Sequence, residues 1–124
     1  MNRIALTIAA VLGIALILGL PVRAEENPLR ATSLAKDVLP ILKASCSKCH
    51  SGKDSKGGID LSSYMTMKKG GKDGPIFVEG DPTKSPLVTS ISGDKPDMPK
   101  KAAPLTKAQV LLISTWVKEG AKNN

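Results

Sequence analysis

The sequence predicts an all-α domain, and three observations carry that prediction. Apolar residues recur at helical spacing in two stretches, Leu34 to Leu42 and Val110 to Val117. Strand-like alternation is weak throughout. Between the two stretches, from Ser51 to Lys101, glycine and proline recur too often for any long regular element to persist. The expected architecture is three to five helices joined by long Gly/Pro-rich loops.

The amino-terminal residues are set apart from that domain. Met1, Asn2 and Arg3 make a short positive head, Ile4 to Leu20 carry no charge, and Val22-Arg23-Ala24 presents small residues where a signal peptidase reads. Residues 1–24 are read as a signal peptide cleaved after Ala24, and residues 25–124 as the exported domain. The alternative is a retained membrane anchor, since the apolar run is slightly short of the roughly 20 residues of a full span. Gly13, Gly19 and Pro21 weaken a helix near its end and favour cleavage. Either way the domain faces the periplasm.

Glu25 to Arg30 form a polar lead whose Pro28 is unsuited to a helix interior. The first helix follows, with Thr32 or Ser33 as its cap and Leu34, Val38, Leu39, Ile41 and Leu42 as its apolar positions up to Cys46. Pro40 either kinks this helix or opens a second one at its first turn, where a missing N–H is harmless. Two short helices are expected inside the loop-rich region, around Ser62 to Lys69 and Ser85 to Ser92. The last helix is clearer. Thr106 and Gln109 have capping-box spacing, Val110, Leu111, Ile113, Trp116 and Val117 form an apolar stripe, and Gly120 ends it.

The exported part carries 15 lysines and one arginine against 11 carboxylates, a formal charge of +5. A basic surface alone does not indicate nucleic acid, because arginine is nearly absent, the chain is exported and no recognition motif is present. Three aromatics remain, Tyr64, Phe77 and Trp116. Aromatic side chains usually supply much of a core's buried area, so another apolar body is expected in the interior.

Cys46-Ser47-Lys48-Cys49-His50 identifies that body as a haem. Cysteines three apart lie on one side of a helical turn, so both sulfurs can form thioethers along one edge of a porphyrin. The adjacent His50 is then carried beneath the ring as the proximal iron ligand. Three plainer readings fare worse. A Cys46–Cys49 disulfide closes too small a loop to add much stability. A thioredoxin-like pair wants a βαβ setting, and a tetrahedral zinc wants four ligands where the chain has two cysteines and one histidine.

Because His50 is the only histidine, the second axial ligand falls to a methionine. Met65 and Met67 lie close to His50 in sequence, within a predicted helix, and read as core residues. Met98 is preferred: Pro96 and Pro99 stiffen its loop, and the span from His50 is long enough to pass from one porphyrin face to the other. The competing reading is a five-coordinate iron with Met98 in the core. His50 also needs an acceptor for its other ring nitrogen, and the carbonyl of Pro75 is the candidate, unless Pro75 only shapes a turn. Lys48, Lys53 and Lys56 flank the haem motif while Lys95, Lys100 and Lys101 flank Met98. Brought together, they would make a docking face for acidic redox partners; left apart, they are solvated surface.

These residues, in order, resemble a known family. Val38, Pro40-Ile41-Leu42, Cys46 to His50, Lys56-Gly57-Gly58-Ile59-Asp60-Leu61, Gly70-Gly71, Gly74-Pro75, Gly80-Asp81-Pro82, Ser85-Pro86-Leu87, Met98-Pro99, Leu105-Thr106 and Trp116 with Gly120-Ala121 are similar to the planctomycete-type c cytochrome domain over nearly all of the exported part. The resemblance implies a small, class I cytochrome c-like fold with its loops wrapped around one haem c. It also implies Cys46 and Cys49 as attachment points, His50 as proximal ligand and Met98 as distal ligand. One departure is Lys100, where the family commonly has a further proline after the Met-Pro pair.

The expected role is electron transfer without substrate chemistry, by a monomer or small subunit whose donor and acceptor are redox proteins. The rival is a haem enzyme or sensor with an open distal site, such as a small peroxidase or gas-binding protein. It lacks a distal histidine and a catalytic arginine, the one arginine of the exported part being Arg30. A third reading makes the domain the haem subunit of a larger respiratory complex. The thin aromatic content carries its own prediction: haem-free chain melts without a cooperative transition by circular dichroism, and a sharp thermal transition would contradict it.

Overall fold

The computed structural model describes residues 30–124, so the signal segment and nearly all of the polar lead lie outside the described residues. Among those described, four α-helices and no sheet are present: α1 (Leu39–Ser45), α2 (Tyr64–Lys69), α3 (Pro86–Thr89) and α4 (Lys107–Lys118). Short 3-10 turns at Lys56–Gly58 and Pro82–Lys84 punctuate the loops. Strand-like pairing is limited to isolated bridges between Gly71 and Gly74 and between Val78 and Asp81. No helix among the described residues is long and apolar enough to cross a membrane.

A π-helical turn, Leu34–Val38, runs straight into α1. Both readings of Pro40 are therefore partly met. The proline ring excludes an ordinary bond to the Lys36 carbonyl, and the turn before it is widened, with the Leu39 N–H donating to the Leu34 carbonyl five residues back. Ser33 caps this turn, its side chain accepting from the Lys36 N–H at 3.2 Å. The two N–H groups between them are satisfied from the far end of the chain. Leu34 N–H donates to Asn124 Oδ1 and Ala35 N–H to the Asn124 carbonyl, at 2.9 and 3.0 Å. Helix donors that would otherwise be orphaned thus tie the last described residue to the first helix.

α4 starts with the expected capping box, Thr106 and Gln109 exchanging both bonds. It ends where Gly120 turns to positive φ. Ile113, Trp116 and Val117 are fully buried and pack towards the first helix and α3. Leu111 departs from the expected stripe: it is 66% exposed. At about 3.6 residues per turn it stands roughly opposite the face formed by Val110, Ile113, Trp116 and Val117, so it does not belong to the apolar stripe. Met65 departs in the same way, 75% exposed on α2, whereas Met67 is buried as expected.

The core gathers Leu34, Val38, Ile41 and Leu42 from the first helix with Leu61, Ile76, Leu87, Val88 and Ile91 from the loop-rich middle. The aromatics form one chain, with ring centroids 6.4 Å apart for Tyr64–Phe77 and 5.4 Å for Phe77–Trp116. α2 ends on Gly70 at φ +77°, where a Cβ would come within 2.5 Å of the Gly74 carbonyl oxygen. Only glycine permits both that backbone and that approach.

Asp37 fastens the entry to the first helix, accepting from the Arg30 guanidinium at 2.8 Å and from the Ser33 N–H at 2.6 Å. The Arg30 hydrogen bond, followed by the Ser33 N–H, holds its carboxyl below the ordinary value of 3.8. A depressed folded value contributes stability above the unfolded one, and that contribution is lost as pH falls towards the folded one. Asp37→Asn is therefore expected to lower Tm at pH 6, with the gap to the parent closing below about pH 4. Thermal melts across that range check it, and a gap that stays constant would contradict it.

Candidate haem site

α1 delivers the site. Its last turn passes into Cys46, whose N–H donates to the Leu42 carbonyl at 2.8 Å. The Cys46 carbonyl then accepts from the N–H groups of both Cys49 and His50, at 3.1 and 3.0 Å. One tight helical turn beyond α1 thus carries both sulfurs and the imidazole. The thiols are unpaired, so no disulfide occupies the motif. Cys46 is partly buried against the core, and burial pushes its thiol up from its ordinary value.

The segment after the motif folds back over it. Lys56 N–H donates to the Cys49 carbonyl at 2.9 Å and Leu61 N–H to the His50 carbonyl at 2.8 Å. Held between these two bonds, the Ile59 carbonyl stands 3.3 Å from His50 Nδ1. This corrects the sequence expectation for that nitrogen: the acceptor is Ile59, not Pro75. Pro75 is exposed and packs beside Gly70 at the end of α2, so it serves the turn there. Sequence spacing gave no pointer to Ile59, because the fold-back depends on Gly57 and Gly58 adopting positive φ within a short turn.

Met98 reaches the site from the other side. Its N–H donates to the Ser90 carbonyl just after α3, at 2.9 Å, and its partly buried side chain packs against the core. Cys46, Cys49, His50 and Met98, far apart in sequence, line one cavity of about 280 Å³ with mostly apolar walls. Lys48, Lys56, Lys100 and Lys101 line it too. Four of the six lysines singled out in the sequence thus converge. Lys53 borders a separate polar hollow beside Gly52 and Lys69, and Lys95 is exposed outside the cavity lining. Lys100 is also paired with Asp97 at 3.8 Å, an exposed contact of little weight.

The donor set suits a haem. Two unpaired thiols on one turn match the two attachment points at a porphyrin edge, and an imidazole whose Nδ1 faces the Ile59 carbonyl leaves Nε2 for iron. Met98 brings a thioether to the same mostly apolar cavity, so a His/Met pair would be available to a macrocycle bound there.

Residues 46–101 match the family model for planctomycete cytochrome C, and the match supports a planctomycete-type cytochrome c domain there. The match starts at Cys46 and stops at Lys101, so the first helix and α4 lie outside it. No curated protein and no solved structure matches the chain.

Proposed function

We propose that this chain, with its planctomycete-type cytochrome c domain over residues 46–101, is an exported monohaem c-type cytochrome that carries single electrons in the periplasm. One observation carries the reading: Cys46, Cys49, His50 and Met98 line the same cavity. When bound, haem c supplies a one-electron ferric/ferrous couple.

The chain's own residues do the rest. The Cys46 and Cys49 sulfurs hold the group by two thioethers, which keeps it from being lost to a dilute compartment. His50 binds the metal through Nε2 while the Ile59 carbonyl fixes its ring. Met98 offers its thioether from a loop whose backbone is tethered to Ser90. With both residues holding the metal, neither ligand would need to leave during electron transfer, and no position would stay open for a substrate. A methionine and a histidine holding the iron together would favour its reduced state relative to two imidazoles and would give a positive potential.

Met98→Ala is the direct test of the distal assignment. The parent is expected to show the weak red ferric band of iron–methionine coordination and to bind carbon monoxide slowly. The variant should lose the band, bind carbon monoxide rapidly and fall in potential, within the roughly 0.8 V range that axial ligands span. A parent that already binds carbon monoxide rapidly would favour the open-site enzyme or sensor instead.

Lys48, Lys56, Lys100 and Lys101 around the cavity make a positive mouth through which acidic partners dock. Reversing two of these charges (Lys48→Glu with Lys100→Glu) should slow oxidation by anionic ferricyanide about tenfold at low salt, the difference fading above roughly 0.5 M salt. Stopped-flow traces with a neutral oxidant as control check this. Equal slowing by both oxidants would show that the lysines do not steer.

A further inference from the structure

We infer that Gly71 is a positioning residue for the haem's proximal histidine, setting the potential through the Ile59 carbonyl. The inference rests on the functional reading above, in which His50 is an iron ligand.

Gly71 differs from the other glycines here: unlike eight others among the described residues, it does not need glycine's backbone freedom. What it needs is space. A Cβ at Gly71 would stand 2.6 Å from Ile59 Cγ1 and 2.8 Å from the Gly57 carbonyl oxygen. Neither contact can be relieved by swinging a flexible side-chain end, because one atom is at the stem of a branched residue and the other is backbone. The Gly57 carbonyl also accepts from the Lys72 N–H at 2.8 Å, which fastens the Gly70–Gly74 turn to the Lys56–Gly58 turn.

The segment from Lys56 to Leu61 is therefore clamped on two sides. On one side it is bonded to the haem motif, through Lys56 N–H to Cys49 and Leu61 N–H to His50. On the other, Gly71 closes against it without a side chain between. The Ile59 carbonyl sits in the middle of the clamp, 3.3 Å from His50 Nδ1, at the long end of hydrogen-bond distances. At that distance a displacement of a few tenths of an ångström decides whether the bond is kept.

The electronic consequence has a definite sign. A ring N–H held by a carbonyl makes the imidazole a stronger donor to the metal, which stabilises the ferric state. Pushing Ile59 away weakens that bond, so the ferric state loses stability and the potential rises. A methyl group at residue 71, in contact with neither iron nor His50, is thus expected to alter the redox equilibrium.

The test uses the haem-loaded protein. Gly71→Ala should shift the ferric/ferrous equilibrium towards ferrous by several-fold, tenfold corresponding to about 59 mV for one electron. It should also speed exchange of the His50 Nδ1 proton, seen by NMR, with the Met98 band retained. Ile59→Ala, which removes the side chain that Gly71 backs, should shift both readouts in the same direction and serves if Gly71→Ala does not fold. Thr106→Ala weakens the α4 cap, outside the clamp, and should lower Tm without moving the potential. Lower stability in Gly71→Ala and Ile59→Ala with unchanged potential and proton exchange would overturn the inference and leave the haem assignment intact. A parent protein that takes up no haem would overturn both.

Discussion

The rest of the structure depends on the turn that closes the first helix, where one carbonyl, that of Cys46, accepts from both Cys49 and His50. Those two bonds confine two sulfurs and an imidazole to five residues of backbone, and a rigid cofactor edge tolerates little freedom in such a set. The surrounding elements hold this turn or face it. Leu42 anchors it from α1, the Lys56–Leu61 segment bonds to it at both ends, and the Ser90 tether brings Met98 to the same cavity.

The ends of the fold were legible in the sequence because their signals are local. Ser33 caps the first helix and Thr106 with Gln109 caps α4, each recognisable within four residues of sequence. The haem motif was legible for the same reason. Leu111 and Met65 are exposed for a local reason: the helical period sets them roughly 200° from the buried Ile113 and Met67, on the face turned away from the core. What else the sequence did not disclose depends on contacts between distant segments. The Ile59 acceptor arises from a fold-back through two positive-φ glycines, and the Asn124 bonds to the first helix join residues some ninety positions apart. The π-helical turn before Pro40 is a compromise between a missing N–H and a continuous apolar face, and composition could only leave it as a choice between two simpler outcomes.

The scarcity of aromatics also takes on a spatial meaning. Tyr64, Phe77 and Trp116 lie together as one line of rings, and none of them lines the cavity shared by Cys46, Cys49, His50 and Met98. The flat apolar surface that the chain does own lies outside that cavity lining. Under the proposed function, the bound group supplies more of it within the cavity and helps a domain with so few large side chains to keep long Gly/Pro-rich loops in order.

The measurement that bears most directly on this account is the intact mass of protein matured in a host with working cytochrome assembly, taken under denaturing conditions. The account predicts one species, the polypeptide plus a single haem, with Cys46 and Cys49 both resistant to thiol alkylation. A colourless product with the mass of bare polypeptide and two reactive thiols would contradict it.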